Sequence, residues 1–486
     1  MSDPSGVVFP LDPTAGRRST TATGRAVVAD ALRAVDPVGA ASAERETNWR
    51  QGYLPHFRRL VEAGLPTPEA ARTVARDGLA SLHDQLRWAG PEGEVALASA
   101  PEAEPLASET VRGTGAPDRV LSIPYAGQRL TGDALRRRLA QWVADGIVEP
   151  SLEEAVGLVI DHPDWLDLTD HTVVVLGAAA EMGPLRSLLR WGADVAAVDL
   201  PRPDLWTRLL EDTSRLAGSL TVPVRPGGGG GDLAHRAGGD LVHDVGTVAR
   251  WVSDLEGPLV LGNYVYADGE TNVRVSMAVD ELTRRVLAAR GRSQVGLAFL
   301  ATPTDVFAVP GSAVERSVSN YAQRHTSKVL RVPLRTLSGG RLLRRNYVPG
   351  QDPGVNDSVV LQQGPNYLLA KRLQRWRATT HRADGGLVSF KVAPPTRTRS
   401  VVKNRALAAA YAGAHRFGIE VFEPGTANTL MAALLVHDLR TGSPAQPHPW
   451  QDEAHAAAHG GLWTSSYDPR SALGLAALLG VASARG

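Results

Sequence analysis

A tyrosine and a lysine stand four residues apart, Tyr367 and Lys371, in the stretch "QGPNYLLAKRLQRW". On a helix that spacing puts both side chains on one face. Leu369, Leu373 and Trp376 then fall on another face and can pack inward. An ammonium beside a phenol lowers the phenol's pKa. The phenolate can take a proton from an alcohol, or the phenol can give one to a carbonyl. The chain has nine tyrosines and only four lysines (Lys328, Lys371, Lys391 and Lys403) in 486 residues, so a chance pairing at this spacing is uncommon.

A second set of residues could hold a nucleotide. "TVVVLGAAAEMGPL", Thr172 to Leu185, reads as a strand, a glycine turn and the start of a helix. Gly177 permits the tight turn, Gly183 lets the helix pack close to the strand, and the helix N-terminus faces an anion. Ala178 to Ala180 are small and leave room for a close backbone approach. Glu181, followed by Met182, stands where a pyrophosphate would lie. It either points outward, leaving backbone N–H groups to reach the phosphates, or occupies the anion site itself. Asp199 ends the next strand about twenty residues on, where a carboxylate accepts hydrogen bonds from both ribose hydroxyls and repels a 2′-phosphate. That favours NAD over NADP; the plainer reading is a solvated loop carboxylate. Asp244, in "LVHDVG", is expected to end the third strand, where it would meet an adenine amino group, or to cap the helix that follows.

These residues need a scaffold, and the chain from Leu168 supplies its rhythm. "HTVVVLG", "ADVAAVDLP", "DLVHDVG", "PLVLGNYVYADG" and "QVGLAFLATP" read as strands with helices between them. Strands that are nearly unbroken apolar runs imply a parallel sheet covered on both faces. The fold class is therefore α/β, a doubly wound parallel sheet with ligands at the carboxyl ends of its strands. Ahead of it, residues 1–24 are rich in Pro, Gly, Ser and Thr and are read as loose, and 25–165 as mostly helical. The acidic, Pro-rich "PEGEVALASAPEAEPLASETVRG" is read as a connecting segment. The α/β part runs over 166–440, with an insertion at about 305–354, and a helical tail over 441–486. The run Gly227–Gly231 has no Lys-Ser/Thr after it, so it is read as a flexible insertion and not a P-loop.

From Leu168 to Leu439 the chain resembles the short-chain dehydrogenase/reductase family. "LDLTDHTVVVLGAAAEMG" is similar to its opening strand and glycine turn, "AAVDLP" to its second strand, and "HDV" to its adenine-contacting Asp and the next residue, here Asp244 and Val245. "LVLGNYVYADG" is similar to its fourth strand, with Asn263 in the region of the usual Asn-Ala-Gly. "YLLAK" matches its Tyr-x-x-x-Lys, and "FKVAPPTRT" is similar to the strand and loop that follow. The resemblance implies a Rossmann-type fold, Tyr367 as acid/base and Lys371 as its activator and a holder of the nicotinamide ribose. It implies cofactor contacts at Gly177, Ala178, Glu181, Met182, Gly183, Asp199, Asp244, Val245, Asn263 and Lys371. The family's middle glycine is Glu181 here, and no hydroxyl stands at the family's usual distance before the tyrosine. Thr302, Thr304 and Ser358 are the candidates, and Thr302 is favoured because strand ends hold groups more rigidly than loops.

Two further constellations carry alternatives. In "KVLRVPLRTLSGGRLLRRNY" a hairpin is expected to turn at Ser338-Gly339-Gly340, gathering Arg331, Arg335, Arg341, Arg344 and Arg345. It forms a solvated edge or dimer contact, or a lid whose arginines hold a carboxylate or phosphate of the substrate. In "HPWQDEAHAAAHGGLW", His455 and His459 could share a metal with Asp452; an Ala-rich helix ending at Gly460 with surface histidines is the favoured reading, and no metal is expected.

Composition sets limits. Hydrophobic content is 43%, charged content 21% and formal net charge +1, which gives no global field toward nucleic acid or membrane. There is no cysteine, which excludes disulfides, thiolate catalysis and Cys-ligated zinc. The first residues lack a signal-peptide core and no apolar run reaches membrane-span length, so a cytoplasmic protein is expected. The expected partners are a small-molecule substrate, anionic if the arginines form a lid, and a second subunit if the tail packs on one. The leading expectation is an NAD-dependent oxidoreductase; the alternatives are a non-catalytic dinucleotide-binding scaffold and an S-adenosylmethionine-dependent methyltransferase.

Overall fold

The computed structural model describes residues 5–12, 16–226, 231–323 and 325–483. Its centre is a seven-stranded sheet: β1 (Ala107–Arg112), β2 (Thr172–Leu176), β3 (Asp194–Val198), β4 (Ser219–Val224), β5 (Leu259–Asn263), β6 (Val295–Ala301) and β7 (Val388–Val392). The spatial order is β7-β6-β5-β2-β3-β4-β1. β2 to β7 run parallel, and β1 closes one edge antiparallel to β4. Counting only the parallel strands, this is the 3-2-1-4-5-6 order of a Rossmann-like α/β sheet. The chain reverses direction across the sheet at β2, where Leu176 pairs with Asn263 of β5. The glycine turn and Asn263 thus leave the sheet side by side, at the crevice where such folds take ligands.

Side chains alternate across each strand. Val174, Leu176, Ala196, Val198, Leu259 and Leu261 point into one core; Val173, Val175, Val195, Ala197 and Val260 point into the other. The helices Pro203–Arg215 and Pro424–Thr441 cover the second face. The second of these is buried nearly all round, so it packs as a central element and not as a surface helix. The helices Val245–Ser253, Glu270–Arg290 and Gly364–Ala383 cover the first face.

The N-terminal helices Thr20–Arg33, Pro37–Arg45, Trp49–Gly64 and Pro68–Gln85 pack onto that first layer and share its core. Gly78 is what lets Pro68–Gln85 come so near: a Cβ there would sit 2.5 Å from the Trp376 ring. One buried carboxylate ties the three helices together. Asp280 receives both Arg377 nitrogens at 2.7 Å and His83 Nε2 at 2.7 Å. Burial alone would push the Asp280 carboxyl up, but Arg377 and His83 hold it below the ordinary carboxylate range.

Several expected elements differ. Residues 5–12 and 16–24 are ordered: Val7, Val8 and Phe9 are buried, Gly6–Val8 pairs with Arg87–Gly90, and a helix begins at Thr20. That apolar triplet outweighs the turn-rich composition around it. "DLVHDVG" is a turn, and the third parallel strand is Ser219–Val224. A proline inside a strand removes a ladder donor, but the β3 ladder reaches only Thr221, so Pro223 costs no parallel bond. The acidic connecting segment contains β1. The expected hairpin is a helix, His325–Leu337, that turns at Gly339 and Gly340. Gly227–Gly230 lie outside the described residues. Among the described residues no helix is long and apolar enough to cross a membrane.

The Asp280 cluster makes a prediction. Asp280→Ala leaves Arg377 buried without its carboxylate and should cost about 3–5 kcal/mol in denaturant unfolding. Because the folded carboxyl is held low, its contribution is present above pH 3.8 and lost as the pH falls below that value. The variant should therefore show less acid-side loss of stability than the parent.

Candidate functional site

The helix Gly364–Ala383 sets the site because its inward face is locked. Leu369, Leu373 and Trp376 are buried in the first core. Deeper still, Asp305, just past β6, is buried between Arg372 at 3.1 Å and Arg375 at 3.0 Å. Arg375 also holds Glu453 and donates to the Val306 carbonyl at 2.8 Å. These bonds pin the helix to the chain leaving β6.

The opposite side of the helix carries Tyr367 and Lys371 toward the strand ends. Lys371 Nζ donates to the Leu300 carbonyl at 3.4 Å and to Gln374 Oε1 at 3.2 Å. Gln374 Nε2 donates onward to Asn263 Oδ1 at 3.3 Å, so the ammonium is linked to the end of β5. Burial pulls the Lys371 ammonium down to about 8, with Asp305 opposing. Tyr367 is partly buried, its ring edge-on to Tyr266 at 6.2 Å, with the Thr302 hydroxyl near its phenol. Burial pushes this phenol well above its ordinary pKa, and the neighbouring Thr302 hydroxyl offsets that only in part. The expected lowering of the phenol by its neighbour is thus not what the geometry gives: the ammonium is spent on Leu300 and Gln374, and desolvation dominates. Tyr367 is held in its protonated form.

The hydroxyl candidates separate clearly. Thr302 and Thr304 bond to each other at 2.8 Å, and Gln363 Nε2 donates to Thr304 at 2.8 Å. Ser358 is buried and gives its hydroxyl to Asn356. Thr302 is therefore the hydroxyl facing Tyr367, and Thr304 stands behind it. Gln363 and Gln374 carry no motif of their own. Their spacings to Tyr367 and Lys371, i,i+4 and i,i+3, are the one signal that could have found them.

At the switch point Gly177 has φ +86°, and a Cβ there would lie 3.0 Å from the Tyr264–Val265 backbone. The turn bonds back to β3 through Gly177 N–H and Ala178 N–H, both donating to the Val198 carbonyl. Ala178 is buried, Met182 is partly buried in the second core, and Gly183 N–H closes the turn on Ala180. The helix after it, Leu185–Trp191, is short. Asp199 accepts from Ala179 N–H and Leu200 N–H, each at 2.8 Å. Burial pushes its carboxyl up, and the two N–H groups pull against that. Asp199 thus braces the glycine turn and is not a solvated loop carboxylate. Glu181 takes neither expected course: it reaches across to Arg399 beyond β7, accepting from its N–H at 2.8 Å and lying 3.2 Å from its Nε.

Other predicted residues lie apart. Asp244 starts the helix Val245–Ser253 and ends no strand; it pairs with Arg225, which follows β4, at 2.7 Å. Val245 is buried in the core. The insertion arginines serve the chain itself. Arg331 and Arg345 lie over the Tyr321 ring at 4.0 and 4.6 Å, Arg335 donates to the Tyr321 hydroxyl, and Arg344 pairs with Asp468. They sit on a helix and the segment after it, not on the expected hairpin, and Arg335, Arg341, Arg344 and Arg345 are exposed. The helix Pro449–Ala454 ends before His455, and His459 is fully buried, stacked on Trp463 and bonded to Glu149. Burial holds His455 down at about 4. Among the described residues no group of three His, Asp or Glu converges as a metal site.

A cavity opens beside the Thr304 hydroxyl. Its empty volume, open mouth included, is about 640 Å³. Two helices, Arg405–Gly413 and Pro469–Ser483, form one wall. They cross closely because a Cβ on Gly413 or Gly480 would strike the other helix's backbone. No protein-family model matches the chain, and no curated protein matches it.

Gly177→Ala tests the turn. Its left-handed backbone conformation costs an alanine about 1–2 kcal/mol, and the added methyl must displace the Tyr264–Val265 backbone. Thermal unfolding should show that loss, with weaker binding of any nucleotide that the parent binds.

Proposed function

We propose that the chain is an NAD-dependent oxidoreductase of the short-chain dehydrogenase/reductase type that interconverts an alcohol and a carbonyl. The observation that carries this reading is the convergence of Thr302, Tyr367 and the Lys371–Gln374–Asn263 chain at the carboxyl ends of β5 and β6, beside the switch point. The residues present fit a dinucleotide. The Gly177, Ala178, Ala179, Ala180 and Gly183 N–H groups are bonded within the protein, so Glu181 and Met182 carry the turn's N–H groups that could meet a phosphate, and the Glu181 side chain is drawn aside to Arg399. Asp199, partly exposed, keeps lone pairs for ribose hydroxyls and would repel a 2′-phosphate.

When bound, the nicotinamide supplies or accepts the hydride. The chain's own groups do the rest. The substrate oxygen sits between the Thr302 hydroxyl, which orients it, and the Tyr367 phenol, which donates the proton as a carbonyl is reduced. With Leu300 and Gln374 taking two of its donors, the Lys371 ammonium would hold the nicotinamide ribose with the third, and Gln374 and Asn263 fix where it points. The raised phenol favours reduction over oxidation near neutral pH, because the donor is fully protonated there. One feature favours a second reading. The Glu181–Arg399 link spans the mouth of the crevice, as would suit a scaffold protein that no longer admits a coenzyme.

Titrating NADH, NADPH and S-adenosylmethionine against the purified protein separates these readings. Saturable binding of NADH, with NADPH weaker, is the expected result. Silence from all three favours the scaffold, and a response to the methyl donor alone overturns both. Given a substrate that turns over, Tyr367→Phe should lower kcat by at least about 10²-fold with little change in NADH affinity.

The pH profile gives an independent check. Lys371 loses its proton as the pH rises through about 8, whereas Tyr367 stays protonated well beyond that. kcat/KM for carbonyl reduction should therefore decline above pH about 8, and the limb should move to higher pH in Lys371→Arg. A profile flat to pH about 10 would remove the ammonium from the mechanism.

A further inference from the structure

We propose that the cavity beside Thr304 takes an uncharged, largely apolar substrate whose single reacting oxygen enters at the Thr302–Tyr367 end. The proposal rests on the oxidoreductase reading for what happens to that oxygen, but the binding preference stands on the cavity alone.

The walls decide the chemistry. Val360, Phe417, Ile419, Leu462 and Leu473 line the cavity. Arg470 is the only charged residue in the lining, and it is already paired with the buried Asp357 at 2.8 Å. A carboxylate or phosphate in this space would meet no unpaired cation, and an anion buried without a partner is costly. The arginines of the insertion do not line the cavity: Arg331, Arg335 and Arg345 lie against Tyr321, and Arg344 pairs with Asp468. An anionic substrate thus has nothing to hold it, and an apolar one gains from the area it buries.

One polar residue of the lining leads to the reacting groups. Thr304 lines the cavity and bonds to Thr302, which faces Tyr367. Gln363, bonded to the Thr304 hydroxyl, has a buried Oε1 with no partner among the described residues. Tyr411 lines the same cavity close to Tyr367, and its hydroxyl has no partner among the described residues either. A molecule with one oxygen at its end and hydrocarbon behind it satisfies this lining. Three alanines, Ala410, Ala472 and Ala476, keep the cavity open where the two wall helices cross.

Fluorescence of N-phenyl-1-naphthylamine, an uncharged apolar probe, reads the site without any coenzyme. Saturable binding to the full chain is expected. 2-Decanone should displace the probe at least tenfold more effectively than 9-oxodecanoate, which has the same chain and ketone but ends in a carboxylate. Ala472→Trp should weaken probe binding at least tenfold and Ala472→Val by less, with circular dichroism and any NADH binding unchanged. No saturable binding, equal displacement by the two ketones, or indifference to both substitutions overturns the proposal. Probe binding without any NADH response would leave the apolar site standing and remove the redox reading. NADH binding without probe binding would do the reverse.

Discussion

Asp305 is the constraint on which the site depends. A carboxylate buried between two arginines of one helix, on a segment that leaves the adjoining strand, permits little sliding or rotation of that helix. Both ions are worth keeping only if the other stays in place. Thr302 lies three residues before Asp305, and Tyr367 and Lys371 lie just ahead of the two arginines on their helix. The register that satisfies the buried charges therefore brings the phenol to the threonine hydroxyl. Glu453 extends the clamp to the segment behind it. Packing of Leu369, Leu373 and Trp376 supplies the adhesion, and the ion cluster supplies the alignment.

Apolar runs made four of the six parallel strands legible, because strands buried on both faces cannot alternate with polar residues, and the family resemblance marked a fifth, Val388–Val392. The exceptions are instructive. Ser219–Val224 carries a proline beyond the part of the strand that pairs on both sides, and Ala107–Arg112 is an exposed edge written in polar residues. Neither has the apolar signature of an interior strand. "DLVHDVG" has that signature and is a turn, since Asp240 and Asp244 spend their carboxylates on nearby N–H groups. Local side-chain bonds of this kind compete directly with ladder formation.

At the site, helical spacing was enough to bring Tyr367 and Lys371 to one face, and strand ends pointed to Thr302. What spacing could not convey was direction and company. The lysine turns to a carbonyl and a glutamine rather than to the phenol. Asp199 bonds the turn it was expected to stand beyond, and Glu181 bridges to a loop that lies more than two hundred residues later. Such choices are made by contacts distant in sequence. The arginine-rich insertion shows the same limit: its charges suggested a ligand, and a tyrosine of its own segment receives them.

The four N-terminal helices deserve a last consequence. They clothe the outer side of Glu270–Arg290 and Gly364–Ala383 with residues of the same polypeptide, joined through Gly78, Trp376 and Asp280. The support behind the Tyr–Lys pair is thus supplied in cis. Its integrity does not vary with dilution, as a support borrowed from a neighbouring molecule would.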